Sequence, residues 1–236
     1  MALDGLFDPT MNKLPFELRR LYLSHLPDGH IPDADAPSLA DAHGMVRAMV
    51  LQLAKPADWS AMSAVWQGVQ ADLALPAPAI AVNGSDGYQL WFSLVEPVPL
   101  PQALAFLDAL RVRYLPGIAP GRISLMPAVG MVPALQGQTE LWSAFVAPDL
   151  APVFADAPWL DIPPSLSGQA DLLARLGSIK PAAFQAACAQ LNPSTVQQTL
   201  LVDSHPKRFL LKVMNDEAAP LGLRIEAAKA LLPYVD

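Results

Sequence analysis

The chain has 236 residues, with 15 lysines and arginines against 22 aspartates and glutamates, a net charge of −7. This length suits one large domain or a domain with an appendage, and the acidic balance argues against a general polyanion binder. Hydrophobic residues make up 53% of the sequence but fall in short segments broken by 25 prolines, and no run approaches the roughly 18 apolar residues of a membrane helix.

In chain order, Met1 to Pro9 has neither a basic start nor a long apolar stretch, so it does not read as a secretory signal. From Pro15 to Leu26, Phe16, Leu18, Leu21, Tyr22 and His25 recur at helical spacing. The following Pro27 to Pro37 is a proline-rich loop. His25, His30, Asp33, Asp35 and His43 all have metal-capable side chains, but their spacing matches no zinc pattern. Solvated loop residues explain them as well as a metal site does, with His30, Asp33 and Asp35 the candidates for one.

Met45 to Leu53 is short and apolar, which suits a buried strand and is compatible with a helix. Asp58 stands where an N-cap belongs, and behind it Trp59, Met62, Val65, Trp66, Val69 and Leu73 mark one helix face, ended by Pro76 and Pro78. Ala79 to Val82 reads as a strand, Asn83 to Gly87 as a hairpin-type turn, and Tyr88 to Val95 as the answering strand. In that strand Tyr88, Leu90, Phe92 and Leu94 alternate with Gln89, Trp91, Ser93 and Val95. Pro99 and Pro101 open a second helix, where proline is tolerated, with Leu104, Leu107, Leu110 and Tyr114 as its expected buried stripe. Arg122 to Met126 supplies a further strand, and Leu141 to Val146 an edge strand. Ala147 to Ser167 reads as an apolar connector that packs on the domain.

The order predicts an α+β fold: a ferredoxin-like or RRM-like β-α-β-β-α-β core with an extra N-terminal helix and C-terminal helices. The expected division is an α+β domain over 1–167 and a helical region over 168–236. Its helices are expected at 169–176, 181–191, 206–215 and 220–232, the last two forming a hairpin within 205–236. That hairpin holds five basic and four acidic side chains and is the one segment that departs from acidic. The single cysteine, Cys188, excludes an internal disulfide and fits a reducing cytoplasm. Set in an alanine-rich helix, it reads as a small buried hydrophobe rather than a nucleophile. No Walker-type lysine or Gly-x-Ser-x-Gly elbow is present. The Asn83–Gly87 turn could bring backbone N–H groups near an anion, but it lies between strands and not before a helix.

The segment from Ala79 to Leu94 (AIAVNGSDGYQLWFSL) resembles the central motif of the archaeo-eukaryotic primase superfamily, an apolar strand, a Ser-Gly-rich turn and then Gly-x-His-hydrophobic-aromatic. That resemblance implies an RRM-like palm, and in an active palm carboxylates hold two divalent metals, Mg or Mn, for nucleotidyl transfer. Here the first palm strand, Met45 to Leu53, has no carboxylate, and the histidine position falls on Gln89. Asp33, Asp35 and Asp86 are the acids left to an active transferase. Separately, Pro206 to Val235 resembles a short helical tail of phage proteins, including terminase small-subunit-like ones, which implies a phage or mobile-element context.

Two readings of the Trp91 face follow. If it is open, Trp91, with Gln89 beside it on that face, could stack bases while Arg47 and Arg122 grip phosphates, with Lys207 and Arg208 of the tail adding contacts. If the connector after Val146 covers it, Trp91 is core, and the apolar character of the connector favours this. The leading functional expectation is a non-catalytic, palm-like accessory protein that binds nucleic acid or a replication or packaging partner. The alternatives are an interaction or structural protein that self-associates, without a nucleic-acid role, and a metal-dependent nucleotidyl transferase.

Overall fold

Ten residues from Met45 to Ala54 are apolar at all positions but Arg47 and Gln52, the pattern of a strand covered on both sides. In the computed structural model this segment is β1 (Met45–Ala54), inside a five-stranded sheet of order β4-β1-β3-β2-β7 whose neighbours are all antiparallel. The other strands are β2 (Ala79–Val82), β3 (Gly87–Pro99), β4 (Ile123–Met126) and β7 (Ala144–Val146), while β5 (Leu135–Gln136) and β6 (Leu141–Trp142) pair separately. The structure describes residues 13–23, 39–41, 43–126, 130–137, 139–191, 214 and 221–231. The chain divides into two compact units, Met1–Leu191 and Asn192–Asp236.

The protein is a mixed α/β chain with six helices among the described residues: α1 (Lys13–Leu21), α2 (Trp59–Ala71), α3 (Leu100–Tyr114), α4 (Leu166–Ala174), α5 (Pro181–Leu191) and α6 (Leu221–Leu231). Asp58 caps α2 as its position suggests, accepting the Ala61 N–H at 3.0 Å. The buried stripe of α3 is Ala103, Phe106, Leu107 and Leu110, with Ala109 beside it. Leu104 and Tyr114, expected in that stripe, are only half-buried. The expected edge strand is broken at Ser143, whose hydroxyl bonds Ala134, leaving β7 to extend the sheet beside β2.

Two cores lie on opposite sides of the sheet. One side buries Met49, Leu51, Leu53, Tyr88, Leu90, Phe92 and Leu94 under Met62, Val65 and Val69 of α2, Phe106, Leu107 and Leu110 of α3, and Phe184 of α5. The other buries Ala48, Val50, Ala79, Ala81, Trp91 and Phe145 under Leu14, Leu18 and Leu21 of α1 and Ala170 and Leu173 of α4. Because α4 and α5 complete these cores, the first unit runs to Leu191, and the boundary expected at 167/168 falls inside it.

The register of β1 on β3 jumps from Val46↔Val98 to Ala48↔Ser93, so β3 bows away from β1 there. The bowed part is paired by Ile179, which donates to Ser93 O at 2.7 Å and accepts from Val95 N at 2.9 Å. In the second unit α6 is described together with Met214, whose carbonyl accepts from Arg224 Nε at 3.1 Å. The expected partner helix at 206–215 otherwise lies outside the described residues. No described helix is long and apolar enough to cross a membrane.

Candidate functional site: the sheet face and an apolar cleft

Trp91 tests the open-face expectation, and it is 2% exposed. Its ring packs 5.1 Å from that of Tyr22 and 5.7 Å from that of Phe145. The indole N–H donates to Gln89 Oε1 at 2.9 Å, and Gln89 Nε2 donates to Gln52 Oε1 at 2.8 Å. Gln89 is itself buried, so this chain of amides serves as internal satisfaction for polar groups under α1 and α4. Ser93 Oγ lies 2.6 Å from both Leu21 O, to which it donates, and Ser178 Oγ. The face is closed, and its cover differs from the expected one. The cover is α1 and α4, whereas the connector packs on the opposite core through Ala151, Phe154 and Leu160. There the Tyr88 hydroxyl donates to Ala151 O at 2.6 Å, and burial, helped by the nearby Asp156 charge, pushes that phenol up to about 12.

The two arginines expected to grip phosphates are tied to backbone carbonyls. Arg47 fills the gap left where β3 bows away, donating from Nε to Leu94 O at 3.0 Å and from Nη2 to Arg20 O at 2.9 Å. Arg122 donates to Ala54 O at 3.3 Å and Pro56 O at 2.8 Å. Arg20, unremarked in the sequence, donates to Leu176 O at 3.0 Å and Leu173 O at 2.9 Å, closing the C-terminal end of α4. Lys207, Arg208, His25, His30, Asp33 and Asp35 lie outside the described residues. His43 is exposed, with its backbone N–H on Asp41 Oδ1 at 2.8 Å. No group of three metal-capable side chains occurs among the described residues.

The Asn83–Gly87 turn is self-satisfied. Asn83 Oδ1 accepts the N–H groups of Ser85, Asp86 and Gly87 at 2.9, 2.9 and 3.0 Å, which uses up the donors an anion would need. Asp86 Oδ1 accepts from Asn83 Nδ2 at 3.1 Å, so this acid serves the turn. Gly84 has φ +77°, and a Cβ there would also collide with the backbone N of Ser143 at 2.8 Å, so glycine is required twice over. Cys188 is half-buried, and burial pushes its thiol up, away from nucleophilic character.

Three features carry no motif and were not foreseen. Gln169, on α4, accepts the Phe145 N–H at 2.7 Å and donates to Phe145 O at 2.9 Å, so its carboxamide pairs the outer edge of β7 as a neighbouring strand would. A cleft of about 250 Å³ lies between α2, α4 and the turn after β7, walled by Trp66, Ile80, Phe145, Leu172 and Leu176, with Asp149 and Arg175 also lining it. Finally, Leu150, Val153, Ile162 and Leu166 are exposed, Val153 by 74% and Ile162 by 70%. No protein-family model matches the chain, and no curated protein matches it.

Proposed function

We propose that this protein is a non-catalytic interaction module, a palm-like scaffold that associates with protein, in the first place with a second copy of itself. The order β4-β1-β3-β2, with α2 and α3 on one face, supports reading the core as a split βαβ unit to which β7 has been added. The observation that carries the proposal is the set of four large aliphatic side chains left exposed between residues 150 and 166. Exposed apolar side chains are ordinary when scattered singly; here four large ones fall within seventeen residues, and that density is what the proposal rests on. Pro148, Pro152, Pro158, Pro163 and Pro164 stiffen the segment, so little conformational freedom is lost when it is covered.

A nucleic-acid role has less support. The aromatic platform is inside the protein, both palm arginines are engaged by carbonyls, and the net charge is −7. That reading now rests on the tail's Lys207 and Arg208. Light scattering of the full chain over a concentration series tests the proposal. A mass rising toward twice that of one chain in the wild type, and held at one chain in Val153→Asp/Ile162→Asp, is the expected result. A monomer throughout, together with single-stranded DNA binding that weakens steeply with salt and disappears in Lys207→Ala/Arg208→Ala, would overturn it.

A further inference from the structure

We infer that the cleft between α2, α4 and the turn after β7 binds a free aromatic α-amino acid. Size comes first. An apolar cavity of about 150 Å³ accepts benzene, so a cleft of about 250 Å³ takes an aromatic ring with a short polar arm. Its walls suit the ring, since Trp66 offers aromatic surface and Leu172 and Leu176 aliphatic surface, with the buried Ile80 and Phe145 at its base. The Trp66 indole N–H is committed to Pro78 O at 3.1 Å, so Trp66 presents carbon surface rather than a free donor.

Much of the backbone around the cleft is spoken for. Val146 pairs with Ile80 across the sheet, the Phe145 N–H and C=O are held by Gln169, and the Leu173 and Leu176 carbonyls accept from Arg20. Polar recognition therefore falls to the Asp149 carboxylate and the Arg175 guanidinium. These opposite charges line one cleft, and among the described residues they form no ion pair with each other or with any other group. A simple carboxylate would engage Arg175 and be repelled by Asp149, while a simple amine would do the reverse. A zwitterion answers both, with its carboxylate on Arg175, its ammonium on Asp149 and its side chain in the apolar part.

Isothermal titration of the full chain with L-phenylalanine tests the inference, with 3-phenylpropanoate and phenethylamine as probes that each lack one charge. Saturable binding of L-phenylalanine is expected, with each probe and each of Arg175→Gln and Asp149→Asn about tenfold weaker. Both residues are exposed, so the variants should melt at the wild-type temperature without ligand, which separates lost binding from lost folding. Three outcomes would overturn the inference: no saturable heat at millimolar L-phenylalanine, equal binding of 3-phenylpropanoate, or affinity unchanged in both variants.

Discussion

Replacing Gln169 by leucine removes the clamp on the edge of β7 while keeping a side chain of similar size. Phe145 faces Ala81 in the β2–β7 register, and its own N–H and C=O point outward to the Gln169 carboxamide at 2.7 and 2.9 Å. Both groups are buried, and each orphaned buried backbone group costs about 1–3 kcal/mol. The added apolar surface of leucine returns about 1–2 kcal/mol, so the net loss should be about 1–4 kcal/mol. For a unit of this size that lowers Tm by roughly 3–15 °C. Urea denaturation followed by tryptophan fluorescence reads the loss as a lower midpoint at unchanged slope. Gln169→Glu adds a signature that simple loss of packing lacks. Its carboxylate cannot donate to Phe145 O, but its protonated acid can, so burial raises its pKa in the folded state. Stability from such a group is present below its unfolded pKa of about 4.3 and lost as pH rises through the folded value. The deficit of Gln169→Glu should therefore shrink as pH falls toward the acid range, whereas that of Gln169→Leu should not. If Gln169→Leu unfolds within about 0.5 kcal/mol of wild type, Phe145 does not depend on this clamp and the reasoning fails.

Trp91→Ala should cost about 3–5 kcal/mol in urea denaturation, the range for a fully buried large aromatic, and a loss under about 1 kcal/mol would contradict the sealed face. Alkali should also unfold the protein. Tyr88 is pushed up to about 12 by burial and then by Asp156, and Tyr114 to about 12 by burial and by its hydrogen bond to Asp72, both above the ordinary 10.0. A folded pKa above the unfolded one keeps stability intact below about pH 10 and removes it as pH climbs through 10 to 12. Tyrosinate absorbance should rise together with loss of circular dichroism, and early titration with the dichroism unchanged would refute this.

The elements themselves were readable wherever local chemistry decided them. Asp58 before an apolar helical face, the alternation from Tyr88 to Leu94 and the asparagine-glycine turn at 83–84 each specify a backbone shape from neighbouring residues alone. What lay on the two faces of β3 was not readable in that way. The cover on Trp91 comes from residues 13–22 and 166–174, joined by Leu39 and Val132, all far from it in sequence, and periodicity shows that a helix has an apolar side without showing what that side meets. The arginines misled for a related reason. A guanidinium in a sequence reads as a free cation, yet Arg47 and Arg122 find carbonyls only because the bowed β3 and the chain after β1 bring those carbonyls within reach. Gln169 did leave a trace, as a polar residue one position before Ala170 and four before Leu173 on a buried stripe, where a carboxamide without a partner would be costly.

The closure of the Trp91 face can be weighed against what a nucleic acid could offer to reverse it. Exposing Trp91 requires α1 to leave, which returns Leu14, Leu18, Leu21 and Tyr22 to water at about 1.5–3 kcal/mol each, or roughly 6–12 kcal/mol together. Departure also breaks the bonds from Arg20 to Leu173 O and Leu176 O and from Arg47 to Arg20 O, which join α1 to α4 and β1. Hydrogen bonds to charged groups contribute about 1.5–3 kcal/mol each even after exchange with water. The sum exceeds the roughly 8 kcal/mol of a micromolar complex, before base stacking at about 1–3 kcal/mol per base has been set against it. A few stacked bases cannot supply the difference. Helix α1 therefore belongs to the core and is not a lid over a binding surface, and any partner must be met on the outside of the molecule.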